Sequence, residues 1–131
     1  MDNKPIVLVD DDHDDTYLLK DAFQESGIEK QVIIFNNSQE FIIYLDSLDE
    51  VNFPAIIFLD LNMPILGGTE LLKKIKTSDK LRGIPVIVLS GSASEKDKRN
   101  AYASGANCYV KKLVKYTEVL DLVKSITLLY T

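Results

Sequence analysis

The chain has 131 residues, 46% of them hydrophobic, and a formal net charge of -5, which fits one globular domain able to bury roughly two-thirds of its unfolded surface. The acidic balance argues against a nucleic-acid-binding surface, which needs clustered Lys and Arg, so any effect on transcription would be indirect. One cysteine, Cys108, permits no internal disulfide, the N-terminus shows no long apolar leader, and every apolar run is interrupted before the ~20 residues that cross a bilayer, so a cytoplasmic protein with no membrane association is expected.

The first apolar run, Pro5 to Val9, has no polar alternation and leads straight into Asp10, Asp11 and Asp12. Such runs suit parallel strands covered on both faces by helices. Strands are predicted at about 5 to 10, 31 to 36, 54 to 60, 85 to 90 and 107 to 111. Helical patterns lie between them. Leu18, Leu19, Ala22 and Phe23 form a stripe that stops at Gly27, a residue suited to the left-handed position after a helix. The second helix starts near Asn37, a capping residue with Glu40 three positions on, and directs Phe41, Ile42, Leu45 and Leu48 inward. The third follows Gly67 and Gly68 and buries Leu71, Leu72 and Ile75. The fourth, with the weakest apolar stripe, runs from Ser94 to Gly105, and the fifth starts near Thr117 and Glu118 and carries Val119, Leu120, Val123 and Ile126 on one face.

Five strand and helix units with right-handed crossovers predict an α/β three-layer sandwich with flavodoxin-like parallel order 2-1-3-4-5. That order makes strands one, three and four neighbours. Their C-terminal tips then bring Asp10, Asp11, Asp60 and Ser90 into one crevice, the place where open α/β sheets bind ligands. The loop from Thr77 to Ile84 falls at the opposite end.

Two carboxylates ~4 Å apart in a partly buried cleft repel by about 4 kcal/mol at an effective dielectric near 20, so the cluster calls for a cation or a shifted protonation. Oxygen ligands without a His or Cys cluster favour Mg²⁺ over zinc. His13, the only histidine, reads as a surface residue, and Asp14 and Asp15 read as a dipole-favoured helix start. Asp60, at a central strand tip, is the candidate nucleophile for an acyl phosphate. Phosphoryl transfer also needs a fixed ammonium and a hydrogen-bond donor, which Lys112 and Ser90 supply.

Val9-Asp10-Asp11, Leu59-Asp60-Leu61-Asn62-Met63-Pro64 with Gly67-Gly68, Pro85 to Ser90, and Gly105 to Lys112 together resemble the receiver domain of bacterial two-component response regulators. The resemblance runs from Ile6 to the end of the fifth helix and implies a single receiver domain over 1–131 with no output domain. It implies that Asp60 accepts a phosphoryl group from a phosphohistidine on a sensor histidine kinase or phosphotransfer protein. Asp11, Asp60 and the Asn62 carbonyl would then bind Mg²⁺, with Asp10 holding metal-bound water. Lys112 and Ser90 would contact the phosphoryl group, and Tyr109 would be the aromatic switch that turns inward. A hydrogen bond from Ser90 to a charged group is worth ~1.5 to 3 kcal/mol, short of the ~5.5 needed to invert a two-state balance almost completely, so Lys112 and the metal must contribute.

The implied output is a contact with a downstream protein, or a homodimer, through helix four, strand five and helix five. The implied protein is a signalling phosphoprotein, not an enzyme, that promotes its own phosphorylation and dephosphorylation. The loop before Pro85 and Ser90-Gly91-Ser92 further resemble single-domain regulators serving phytochrome-type or hybrid histidine kinases. Leu113 stands where the family usually has proline; a cis bond there would cost ~3 to 4 kcal/mol, so a trans peptide is expected and Lys111 becomes an alternative to Lys112. Strand alternation lets only one of the two reach the site.

Three other functions compete. A Mg²⁺-dependent aspartyl phosphatase of the haloacid-dehalogenase type would carry two aspartates flanking one residue on the first strand, and a cap domain. A flavodoxin-like FMN protein would have a hydroxyl- and glycine-rich phosphate loop where this chain has Asp10, Asp11 and Asp12. An unphosphorylated docking module would not need the full acid set.

Overall fold

In the computed structural model, which describes residues 4–63, 67–91, 94–112 and 115–130, each apolar run is a strand. Pro64, Ser92 and Leu113, on which parts of the sequence reading rest, lie outside the described residues. The strands are β1 (Ile6–Val9), β2 (Val32–Phe35), β3 (Ile56–Asp60), β4 (Val86–Ser90) and β5 (Cys108–Lys111). They alternate with helices α1 (His13–Glu25), α2 (Ser38–Asp46), α3 (Gly68–Lys76), α4 (Glu95–Ala103) and α5 (Tyr116–Tyr130). All four strand pairings are parallel and the order is β2-β1-β3-β4-β5, as expected.

The absence of alternation in the strand sequences has a direct cause: both faces of the sheet are covered. Side-chain alternation sends Val7, Val9, Ile57, Leu59, Val86 and Val88 to the layer formed by α2, α3 and α4. It sends Ile6, Leu8, Ile56, Phe58, Ile87 and Leu89 to the layer of α1 and α5. There Phe23 of α1 meets Phe58 edge-on, with ring centroids 5.7 Å apart, a favoured aromatic geometry. The three central strands are buried throughout, whereas β2 and β5 are half-buried edges.

Local signals act where the sequence places them. Asn37 Oδ1 accepts the Glu40 N–H at 2.8 Å and caps α2, and Ser94 caps α4. Gly27 follows α1 with φ +78°, the conformation that ends a helix at little cost only with glycine. Helix α4 buries a single residue, Ala101, in keeping with its weak stripe. Several ends differ from expectation: β1, β2, β4 and β5 each start one residue later than predicted and β3 two later, and α4 spans Glu95–Ala103 in place of Ser94 to Gly105. Helix α5 begins at Tyr116, one residue early, and a single 3-10 turn at Glu50–Asn52 precedes β3, closed by the Asp49 N–H on Asn52 Oδ1 at 2.6 Å.

The segment from Thr77 to Ile84 lies at the N-terminal edge of the sheet, away from the acidic tips. There Lys76 Nζ donates to Ile84 O at 2.7 Å, to Asn107 Oδ1 at 2.8 Å and to Arg82 O at 3.1 Å.

Candidate functional site

Because β1 and β3 are adjacent and run parallel, their C-terminal ends place Asp10 and Asp60 side by side. Both are 2% exposed. Asp10 donates its N–H to Phe35 O at 3.1 Å, and its carbonyl accepts from Asn36 Nδ2 at 3.0 Å, so β2 fixes the backbone at that turn. Each carboxylate then bonds the amide two residues on: Asp10 Oδ1 accepts from Asp12 at 2.9 Å and Asp60 Oδ1 from Asn62 at 3.0 Å. These paired Asx turns fix both side chains with one oxygen committed and one left.

The remaining Oδ2 atoms of Asp10 and Asp60 lie 3.2 and 3.3 Å from Lys112 Nζ. Lys112 continues β5 with one further ladder bond, its N–H to Ser90 O at 2.8 Å. It shares the sheet face of Asp10 and Asp60, since Cys108 and Val110 also pack into the α1 and α5 layer. Lys111 has the opposite parity and is exposed, so Lys112 is the lysine brought to the carboxylates.

One carboxylate oxygen from each of Asp10, Asp11 and Asp60 lies within 4.8 Å of the other two. Burial pushes the Asp10 carboxyl up to about 7; the Asp12 amide opposes this, the Asp60 charge adds to it, and Lys112 opposes it again. For Lys112 burial acts downward, but the bond to Asp15 and the charges of Asp10 and Asp60 outweigh it and hold the ammonium above the usual lysine range. Asp10 Oδ2 is buried without a hydrogen bond of its own, although it is within ion-pair distance of Lys112. A buried, half-satisfied oxygen facing two further carboxylates is a donor set that fits a hard divalent cation.

Gly68 explains how α3 approaches this tip so closely. A Cβ there would fall 2.1 Å from Asp60 O and 2.5 Å from Leu61 Cα, and the Gly68 N–H instead donates to Leu61 O at 3.1 Å. Asn62 is exposed just beyond Asp60, with Met63 buried after it.

Ser90 ends β4 and is 2% exposed. By strand alternation it lies on the same face as Tyr109, which is half-buried against the layer of α2, α3 and α4. The Tyr109 N–H donates to Tyr102 Oη at 3.1 Å, joining β5 to α4. His13, as expected, is exposed.

Asp15 corrects the sequence reading. Its carboxylate forms the shortest contact to Lys112, at 2.7 Å, so it belongs to the site and is not only a helix-start acid. Asp12 carries the helix-start role, accepting the amides of Asp14 and Asp15. Its place three residues after the cap accounts only for a helix-start acid; the partner lies 97 residues away and no local pattern points to it.

Residues 6–124 match the response regulator receiver domain family. The response regulator Rcp1 of Synechocystis sp. is 32% identical over 126 residues, which is 94% of this chain and 86% of that protein. The phosphorylated cyanobacterial phytochrome response regulator RcpA superposes with a TM-score of 0.88 at 33% identity, covering 98% of this chain and 94% of that one. The Mn²⁺-bound form of Rcp1 gives 0.82 at 32% identity, over 94% and 91% of the two chains. Sheet order, acidic strand tips and these likenesses agree: the chain belongs to the response regulator receiver domain family.

Proposed function

We propose that Asp60 is the phosphoacceptor of a Mg²⁺-dependent response regulator, taking a phosphoryl group from a phosphohistidine on a sensor kinase or phosphotransfer protein. The observation that carries this reading is the joint contact of Lys112 with Asp10 and Asp60 beside the three-carboxylate cluster. Asp11, Asp60 and the Asn62 carbonyl would hold the metal, with Asp10 acting through a bound water. When bound, the metal neutralises charge on the carboxylates and on the incoming phosphoryl oxygens.

A carboxylate oxygen of Asp60 attacks phosphorus, the P–N bond breaks, and its electron pair leaves with the imidazole, which takes a proton. The product is an acyl phosphate on Asp60. Lys112 is already charged and within reach, so little reorganisation is needed for it to meet a phosphoryl oxygen. Ser90 donates its hydroxyl to another. Tyr109 shares the Ser90 face, which supports its role as the residue that reports this movement to a protein partner at α4, β5 and α5. Two similar proteins, one described as phosphorylated and one as Mn²⁺-bound, support both halves of the reading.

Incubation with acetyl phosphate and Mg²⁺ tests it by intact mass. The expected result is one added phosphate, lost in Asp60→Asn and with chelator. No addition to the parent would leave a docking module, and an addition that survives Asp60→Asn would move the site elsewhere.

A further inference from the structure

Lys112 touches three carboxylates, and the nearest is the one outside the Asp10, Asp11 and Asp60 cluster: Asp15, at 2.7 Å. We infer that Asp15 is a positioning residue, a tether on α1 that holds the Lys112 ammonium over Asp60 for phosphoryl transfer. The inference rests on the role proposed above for Lys112.

The ladder bond from Lys112 N–H to Ser90 O fixes only the backbone of that residue. Beyond Cα the lysine stem has four rotatable bonds, and contacts at its tip must set its aim. Its ammonium has three donor directions. Asp15 occupies one and leaves the others for Asp10 and Asp60, or for a phosphoryl oxygen that replaces them.

Asp15 is well placed to be the constant partner. It stands in the first turn of α1, and its own amide is bonded to the capping Asp12 Oδ1 at 3.4 Å, so it is held by a helix end. Asp10 and Asp60 are the carboxylates that a bound cation would engage, whereas Asp15 would keep its bond to the lysine. On the inner side the lysine borders a small cavity whose lining, besides Lys111 and Lys112, is Asp10, Asp15 and the apolar Leu18, Leu19, Leu89, Val119 and Leu122, so the acceptors it offers the ammonium are the two carboxylates already in contact with it.

The test is the rate of acetyl phosphate phosphorylation at saturating Mg²⁺ for the parent, Asp15→Asn, Asp15→Glu, Lys112→Ala and the Asp15→Asn/Lys112→Ala pair, each shown to be folded by circular dichroism. Asp15→Asn should slow phosphorylation about five-fold, equivalent to ~1 kcal/mol for a partly exposed ion pair, with Mg²⁺ affinity unchanged. Asp15→Glu should recover part of the rate, and the pair should be no slower than Lys112→Ala alone. A parent-like rate in Asp15→Asn, or a further five-fold loss when it is added to Lys112→Ala, would overturn the tether. A parent-like rate in Lys112→Ala would instead overturn the role of the lysine itself.

Discussion

Asp10 Oδ2 sits 3.2 Å from Lys112 Nζ, yet burial leaves the Asp10 carboxyl titrating near 7. The native group therefore holds a proton that the unfolded chain releases near its ordinary value of 3.8. The sign follows from proton linkage: stability of the metal-free protein falls as pH rises from about 4 to about 7 and is lowest above that window. Asp10→Asn should gain on the order of 2 kcal/mol over the parent at pH 8 and little at pH 4, measured by denaturant midpoints with chelator present. Mg²⁺, which needs the ionised carboxylate, should raise the parent's melting temperature more at pH 8 than at pH 5.

Lys76 and Gly105 form a second unit, at the other end of the sheet. Burial lowers the Lys76 ammonium, whose three oxygen partners bind the α3 end to the starts of β4 and β5. Asn107 Oδ1 also accepts the Val86 N–H at 2.9 Å, so the knot is shared with the strand ladder. Lys76→Met should lower stability by about 1 to 3 kcal/mol, since it strands the part-buried Ile84 carbonyl, and should leave phosphorylation of Asp60 intact. Urea titration alongside the mass assay checks both halves.

Gly105 presses on the same lysine: it has φ +102°, and a Cβ would fall 2.7 Å from Lys76 Cγ. Gly105→Ala should cost about 1 kcal/mol or more from the strained backbone alone. The loss should shrink only in part when Lys76 is already shortened to alanine, because the Cγ contact at 2.7 Å goes while Lys76 Cβ stays 2.8 Å from the new methyl group. A double-mutant cycle in urea measures that coupling.

Gly68 behaves differently because its neighbour is backbone at the acidic tip, 2.1 Å from where a Cβ would stand. Gly68→Ala must shift either α3 or the peptide after Asp60. We expect weaker Mg²⁺ binding and slower phosphorylation as well as lower stability, in contrast to Lys76→Met, which should affect stability alone. Isothermal titration with Mg²⁺ separates the two.

The layer order and the approach of Asp10, Asp11 and Asp60 to one another were legible because both depend on local signals: unbroken apolar runs, caps such as Asn37, and a helix stop at Gly27. Choosing Lys112 over Lys111 was legible as far as alternation, which allowed one of them, but the parity needed the β5 register. Asp15 was not legible. An acid in the first turn of a helix already has a sufficient local reason, the favourable dipole, and only the fold, which packs α1 against α5, brings it to a lysine 97 residues away just past the end of β5. Lys76 escaped for the same reason: a charged residue near a helix C-terminus reads as solvated, while its three acceptors come from segments that meet only in the fold.

An acyl phosphate is reduced by borohydride to an alcohol, which converts a phosphorylated aspartate into homoserine at that position. Treating the protein with acetyl phosphate and Mg²⁺, then borohydride, and mapping peptides by mass spectrometry therefore reads the modified residue itself. We expect homoserine at residue 60, dependent on both donor and metal. Homoserine at position 10 or 11 in its place, or none at any position, would contradict the assignment of Asp60 as the phosphoacceptor.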